Sequence, residues 1–253
     1  LYLVVSELPP NSQPGRQSPM QSSSLYPQHF QELVTGSGID SKLVSLNFVS
    51  LEGNEPYEYL LISDRIPRTN TGQVNSGWLR RYAQMTLGGW WCAGVDPLNH
   101  LQEMEWGCYK PNHPRQNAEG KRIKYEHPPA TPTRIFCLRV PLHIWQQTAS
   151  RYQISMPENI VMKENGEAVG FWQWVIEEKL PIIICEGVKK AAALLSCGYV
   201  AIALPGINSG YRVARDWRGR VVSRQLIPDL TVFSQSRRTF YLCFDYEIQP
   251  KKK

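Results

Sequence analysis

The stretch from Pro181 to Leu204 constrains the fold more than any other part of this chain. Pro181-Ile182-Ile183-Ile184-Cys185 is a short, β-branched apolar run of the kind that forms a parallel strand buried on both faces. Glu186-Gly187 follows at once. Lys189 to Cys197, with three consecutive alanines and Leu194-Leu195, predicts a helix closed by Gly198. Tyr199 to Leu204 predicts a second strand leading into Pro205-Gly206. A helix is expected before this unit, over Phe171 to Leu180. An Arg-rich insertion, a short helix near Leu226–Phe233 and a third strand over Thr239 to Phe244 are expected after it.

Upstream the texture differs. Residues 57–140 are rich in Trp, Tyr, Gly and Pro and carry short β-like runs. Trp78 to Tyr82 and Gly89 to Cys92 read as two strands joined through Gly88-Gly89, and Arg134 to Val140 as a further strand. A short helix should end near Gly36, and another should begin after Asp40 as N-cap. Leu142 to Tyr152 reads as a helix with Pro141 at N1. Residues 1–28 hold six Ser, five Pro and four Gln and bury too little apolar surface to offset their ordering entropy. The expectation is an α+β protein: a disordered tail over 1–28, a β-rich N-terminal α+β domain over 29–155, and an α/β domain with a parallel sheet over 156–253.

Charge is unevenly placed. The net +6 falls entirely within residues 205–253, since residues 1–204 balance at 18 basic against 18 acidic side chains. Such a segment attracts polyanions, although a solvated Arg-rich loop would carry the same charge. No apolar run reaches the roughly 18–20 residues of a membrane span, and no membrane partner is expected. Six cysteines without a C-x-x-C pair argue for a reduced, cytoplasmic protein. Cys92, His100, Cys108 and His113 are spaced unlike any common structural zinc site. Trp78, Tyr82, Trp90, Trp91, Trp106 and Tyr109, interleaved with Arg80, Arg81 and Lys110, suit either the core of a β domain or base stacking on single-stranded nucleic acid.

Two of the apolar strands end in acid: Glu186 after one, Asp245 and Glu247 after the other. Ligands of open parallel sheets bind outside the carboxyl ends of the strands. Residues i and i+2 of an extended chain point the same way, so Asp245 and Glu247 can face one site. Converging carboxylates repel unless a cation lies between them, and hard oxygen ligands select Mg²⁺ or Mn²⁺. Acids that merely end strands are the structural alternative. Gly187 permits a sharp turn with room for a phosphate, and Lys189 and Lys190 open the next helix. Gly206, Asn208, Gly210 and Arg212 follow the second strand on the same rim, with Arg215, Arg218 and Arg220 beyond them.

These residues resemble a known family. Ile182 to Gly187, Lys189-Lys190-Ala191 and Phe244 to Glu247 are similar to the Toprim domain of primases and topoisomerases, marked by Glu-Gly after one strand and Asp-x-Asp after a later one. From about His29 onward the chain resembles cyanobacterial plasmid replication proteins, whose Toprim-like module is a domain of unknown function. Gly88-Gly89-Trp90-Trp91-Cys92, Arg139 to Trp145 and Ala203 to Arg212 carry that likeness, which covers about nine-tenths of the chain.

The resemblance implies plasmid DNA replication through a primase-like, metal-dependent phosphoryl or nucleotidyl transfer. Glu186 would act on the scissile or attacking oxygen, and Asp245 and Glu247 would hold Mg²⁺ or Mn²⁺. DNA, single-stranded or at a plasmid origin, is the implied partner, together with a helicase-like ATPase in cis or in trans. These 253 residues contain no G-x-x-x-x-G-K-[ST] loop to supply that ATPase. Glu247 stands where the family motif has Asp, and the chain stops at Lys253, so the α/β domain is expected to be incomplete. A non-catalytic DNA-binding initiator module, or an inactive fragment, is the alternative.

Overall fold

Asp40 starts the first well-capped helix: its Oδ1 accepts from the amides of Lys42 and Leu43, both at 2.9 Å. The computed structural model of the chain describes residues 25–234 and 237–245. Helix α1 (Pro27–Phe30) continues into a π-helical turn at Gln31–Thr35, and α2 spans Ser41–Asn47. Strand β1 (Phe48–Leu51), helices α3 (Glu55–Leu60) and α4 (Ser76–Arg81), and strands β2 (Gly89–Asp96) and β3 (Gln102–Pro111) follow. Then come α5 (Leu142–Tyr152), α6 (Phe171–Glu177), β4 (Ile182–Glu186), α7 (Val188–Ser196) and β5 (Ala201–Leu204). Strands β6 (Tyr211–Arg215) and β7 (Val221–Leu226), helix α8 (Pro228–Ser234) and β8 (Phe240–Cys243) complete the order.

The fold is α+β. Strands β1-β2-β3 form an antiparallel sheet, β5-β4-β8 a parallel one with β4 in the centre, and β6-β7 a separate hairpin. Alternation along β2 explains the Trp-rich sequence. Trp90 and Cys92 enter the larger core with Phe48 and Cys108, whereas Trp91 and Ala93 enter a second cluster with Val49, Leu60 and Tyr109. Both faces of this sheet are therefore covered. The larger cluster runs through position 155, the expected domain boundary: Trp145 of α5 packs on Phe171 and Trp174 of α6, with centroids 5.7 and 5.6 Å apart.

Residues 134–140 join the two sheets. They are extended but form no strand, contrary to expectation; Phe136 alone pairs with Ala203 of β5 across an antiparallel bridge. On the other side the Val95 amide donates to the Cys137 carbonyl at 2.7 Å. Asn47 fixes the same segment to α2, because its Nδ2 donates to Leu43 O and Arg139 O and its Oδ1 accepts from Arg139 N, at 2.7–2.8 Å.

Other expectations need correction. Trp78–Arg81 is helical, not a strand, with Tyr82 as its C-cap; Asn75 Oδ1 caps Gly77 N at 2.8 Å, and Trp78 stacks against Tyr82 four residues on, with centroids 6.2 Å apart. Pro141 is the N-cap of α5 rather than N1. The Arg-rich insertion is a hairpin. The tail expected over 1–28 falls mostly outside the described residues. Within it, Leu25 packs on the core and the Tyr26 amide donates to Ser50 Oγ at 2.8 Å.

Candidate functional site at the rim of the parallel sheet

The register of the parallel sheet sets the site. Glu186, the last residue of β4, lies beside Leu204 of β5, and Cys185 lies beside Cys243 of β8. The acid-bearing ends of β4 and β8 thus emerge side by side, with Asp245 two residues beyond the β8 end. Glu186 is half-buried, and among the described residues its carboxylate has no hydrogen-bond or ion-pair partner. Asp245 is exposed and forms an ion pair with Lys190 of α7. Glu247 lies outside the described residues. Among the described residues no three His, Cys, Asp or Glu side chains group together.

Gly187 makes the turn from β4 into α7 at φ +85°, where a Cβ would meet open space but suffer backbone strain. Its amide donates to Leu204 O at 2.8 Å, locking the turn to the end of β5. Lys189 points to Glu32 instead of the acids, its Nζ 2.9 Å from Oε1. Glu32 also receives Lys110 Nζ at 2.7 Å and Trp90 Nε1 at 3.3 Å. Burial pushes the Glu32 carboxyl up, but the two lysines outweigh it and hold it at about 2. One side chain so ties the turn after α1 to β3 and α7.

The turn after β5 lies on the same rim. Gly206 is half-buried and Asn208 exposed, while Gly210 is buried against Leu204 and Leu230, its carbonyl accepting from Ile227 N at 3.1 Å. Arg212, Arg215, Arg218 and Arg220 stand on the β6–β7 hairpin that rises from this turn, all exposed.

The hairpin closes because Asp216 Oδ1 accepts from the amides of Arg218 and Arg220, at 2.9 and 2.8 Å, and Gly219 takes φ +77°. At its tip Trp217 is 85% exposed, with the Arg218 guanidinium 4.4 Å from the ring centroid. Sequence reasoning overlooked this residue, although an Asp-x-x-Gly turn between two alternating runs is a hairpin signal. The stacking residues it considered belong to the interior instead: Trp90, Trp91, Trp106, Tyr82 and Tyr109 are buried, and Trp78 is half-buried.

The α+β chain thus carries a parallel sheet with an acidic rim and a basic hairpin, and residues 171–253 match a family model described as a domain of unknown function, DUF3854. An uncharacterized protein of Picosynechococcus sp. (strain ATCC 27264 / PCC 7002 / PR-6) is 44% identical over 228 residues, covering 88% of this chain and 22% of that protein. The chain therefore spans under a quarter of the length of the curated relative it matches. No solved structure matches it. No helix among the described residues is long and apolar enough to cross a membrane.

Proposed function

We propose that this chain is a cytoplasmic plasmid DNA replication module of the Toprim type, whose rim serves metal-dependent, primase-like phosphoryl or nucleotidyl transfer. The observation that carries this reading is the half-buried Glu186 carboxylate, without a partner among the described residues, at the carboxyl end of the central parallel strand, one strand from Asp245. A carboxylate drawn partly out of water without a cation is costly unless a ligand completes it. In this reading Glu186 moves a proton at the attacking or leaving oxygen. Asp245 and Glu247 hold the metal, and Gly187, Lys190, Gly206, Asn208 and Arg212 line the phosphate path, whereas Lys189, held by Glu32, and the buried Gly210 only support it.

The donors fit Mg²⁺ or Mn²⁺, which accept one or two carboxylates with water and substrate phosphate filling the remaining places. Such an ion supplies neutralisation of phosphoryl charge. Lys190 must release Asp245 when the ion enters. A helicase-like ATPase, in cis or in trans, is the proposed partner.

Calorimetric titration with Mg²⁺ and Mn²⁺, beside primer synthesis on single-stranded DNA, tests the proposal. Wild type should bind the ion and extend primers, and Asp245→Asn should lose both while keeping its stability. A wild type that binds no divalent ion at millimolar concentration overturns it. The Lys190–Asp245 ion pair favours a second reading, in which the protein's own cation permanently neutralises the rim and the chain is a non-catalytic DNA-binding module. On that reading Asp245→Asn loses stability and primer synthesis is absent.

A further inference from the structure

The β6–β7 hairpin leaves the rim at Tyr211 and returns at Leu226, and Tyr211 pairs directly with Leu226. No residue of either strand is buried. At roughly 3.4 Å per residue the turn stands about 15–20 Å out from the rim. Residues 211–226 contain five arginines against one aspartate. That aspartate, Asp216, is engaged by the turn amides. None of the five guanidiniums has a carboxylate partner among the described residues; Arg215 bonds only the Gly219 carbonyl, at 2.8 Å.

This ribbon presents guanidiniums that have no carboxylate partner among the described residues, beside an indole that is 85% exposed. Of the eight tryptophans, all within the described residues, Trp217 is the only exposed one. Arg218 covers one face of its ring and leaves the other free. An indole face beside unpaired guanidiniums matches a polyanion carrying flat apolar rings, and the opposite charge of phosphate completes the match.

We infer that the hairpin is an arm for single-stranded nucleic acid, with an unpaired base stacked on Trp217 and the phosphates met by Arg215, Arg218 and Arg220. The onward path of that strand to Glu186 rests on the function proposed above; the binding itself does not. An unpaired base is favoured over duplex because the faces of bases inside a duplex are already covered by stacking on their neighbours.

Fluorescence titration of the full chain with a 20-nucleotide oligothymidylate tests this, read as quenching and as affinity across a salt series. Wild type should show quenching, and Trp217→Ala should abolish it and weaken binding roughly fivefold to a hundredfold, as expected when one base stack is removed. Trp217→Phe should recover part of the affinity. Arg218→Ala with Arg220→Ala should flatten the log–log salt slope by about 0.7 for each phosphate left without its arginine. Unchanged binding by Trp217→Ala overturns the inference. So does equal competition by a duplex of the same length, which would make the ribbon a groove reader. Sedimentation showing a wild-type dimer that Trp217→Ala dissociates also overturns it, because the hairpin would then join two copies. Quenching without any divalent-ion binding leaves the arm standing and removes the chemistry, whereas ion binding without quenching does the reverse.

Discussion

The backbone of Gly94 lies directly against the carbonyl of Cys137: a Cβ at position 94 would stand 2.0 Å from that oxygen. The close approach falls where the β2–β3 register shifts, between Ala93 and Val95. It lets the 134–140 segment sit between β2, met at Cys137, and β5, met at Phe136. Gly94→Ala has no flexible neighbour to displace and must separate two backbones, so it should cost about 3 kcal/mol or more. A urea melt measures this; a loss under about 1 kcal/mol would mean the junction between the sheets is soft.

Asn47 is the second fastening of the same segment. Asn47→Ala strands the Arg139 amide and carbonyl in the interior, and should cost about 2–4 kcal/mol. The urea midpoint should fall accordingly. A neutral result would show that water replaces the amide.

Glu32 sets a pH dependence. Its folded pKa of about 2 lies below the ordinary value of 4.5, so its contribution is complete above about pH 4.5 and is lost as pH falls toward 2. Glu32→Gln should therefore destabilise by about 1–3 kcal/mol at neutral pH, and the gap from wild type should close through that window. Melts at a series of acid pH values read it directly; a constant gap would mean that packing, not charge, is what the variant loses.

Lys190 competes with any cation for Asp245. Lys190→Gln should tighten Mg²⁺ binding roughly two- to fivefold, in keeping with an exposed ion pair. Calorimetry checks the direction. Weaker binding in the variant would show that the lysine helps to assemble the site.

The α/β unit was legible because its signals are local. Ile182 to Cys185, the three alanines of α7 and Gly198 each constrain their own neighbourhood. Helix α4 was not, because aromatic residues read as strand formers until the Asn75 cap and the Trp78–Tyr82 stack are seen together. Residues 134–140 alternate like a strand, but their pairing is chosen by Val95 and Ala203, partners no local pattern can indicate. At the rim, Glu186 and Asp245 followed from strand ends, whereas the attachment of Lys189 to Glu32 depends on residues brought together only by the finished fold. The hairpin left a readable trace in Asp216 and Gly219, which the density of arginine concealed.

Glu32 meets Lys189 across 157 residues of chain. At a synthesis rate of about 5–20 residues per second, the carboxylate is made roughly eight to thirty seconds before its second lysine. Lys110 follows Glu32 by 78 residues, so for about half of that interval neither lysine has been made, and until its end the N-terminal helices have nothing of α7 to rest on. The nascent chain must spend those seconds with a large apolar surface uncovered, the period in which a chaperone or a neighbouring chain has its longest access to it.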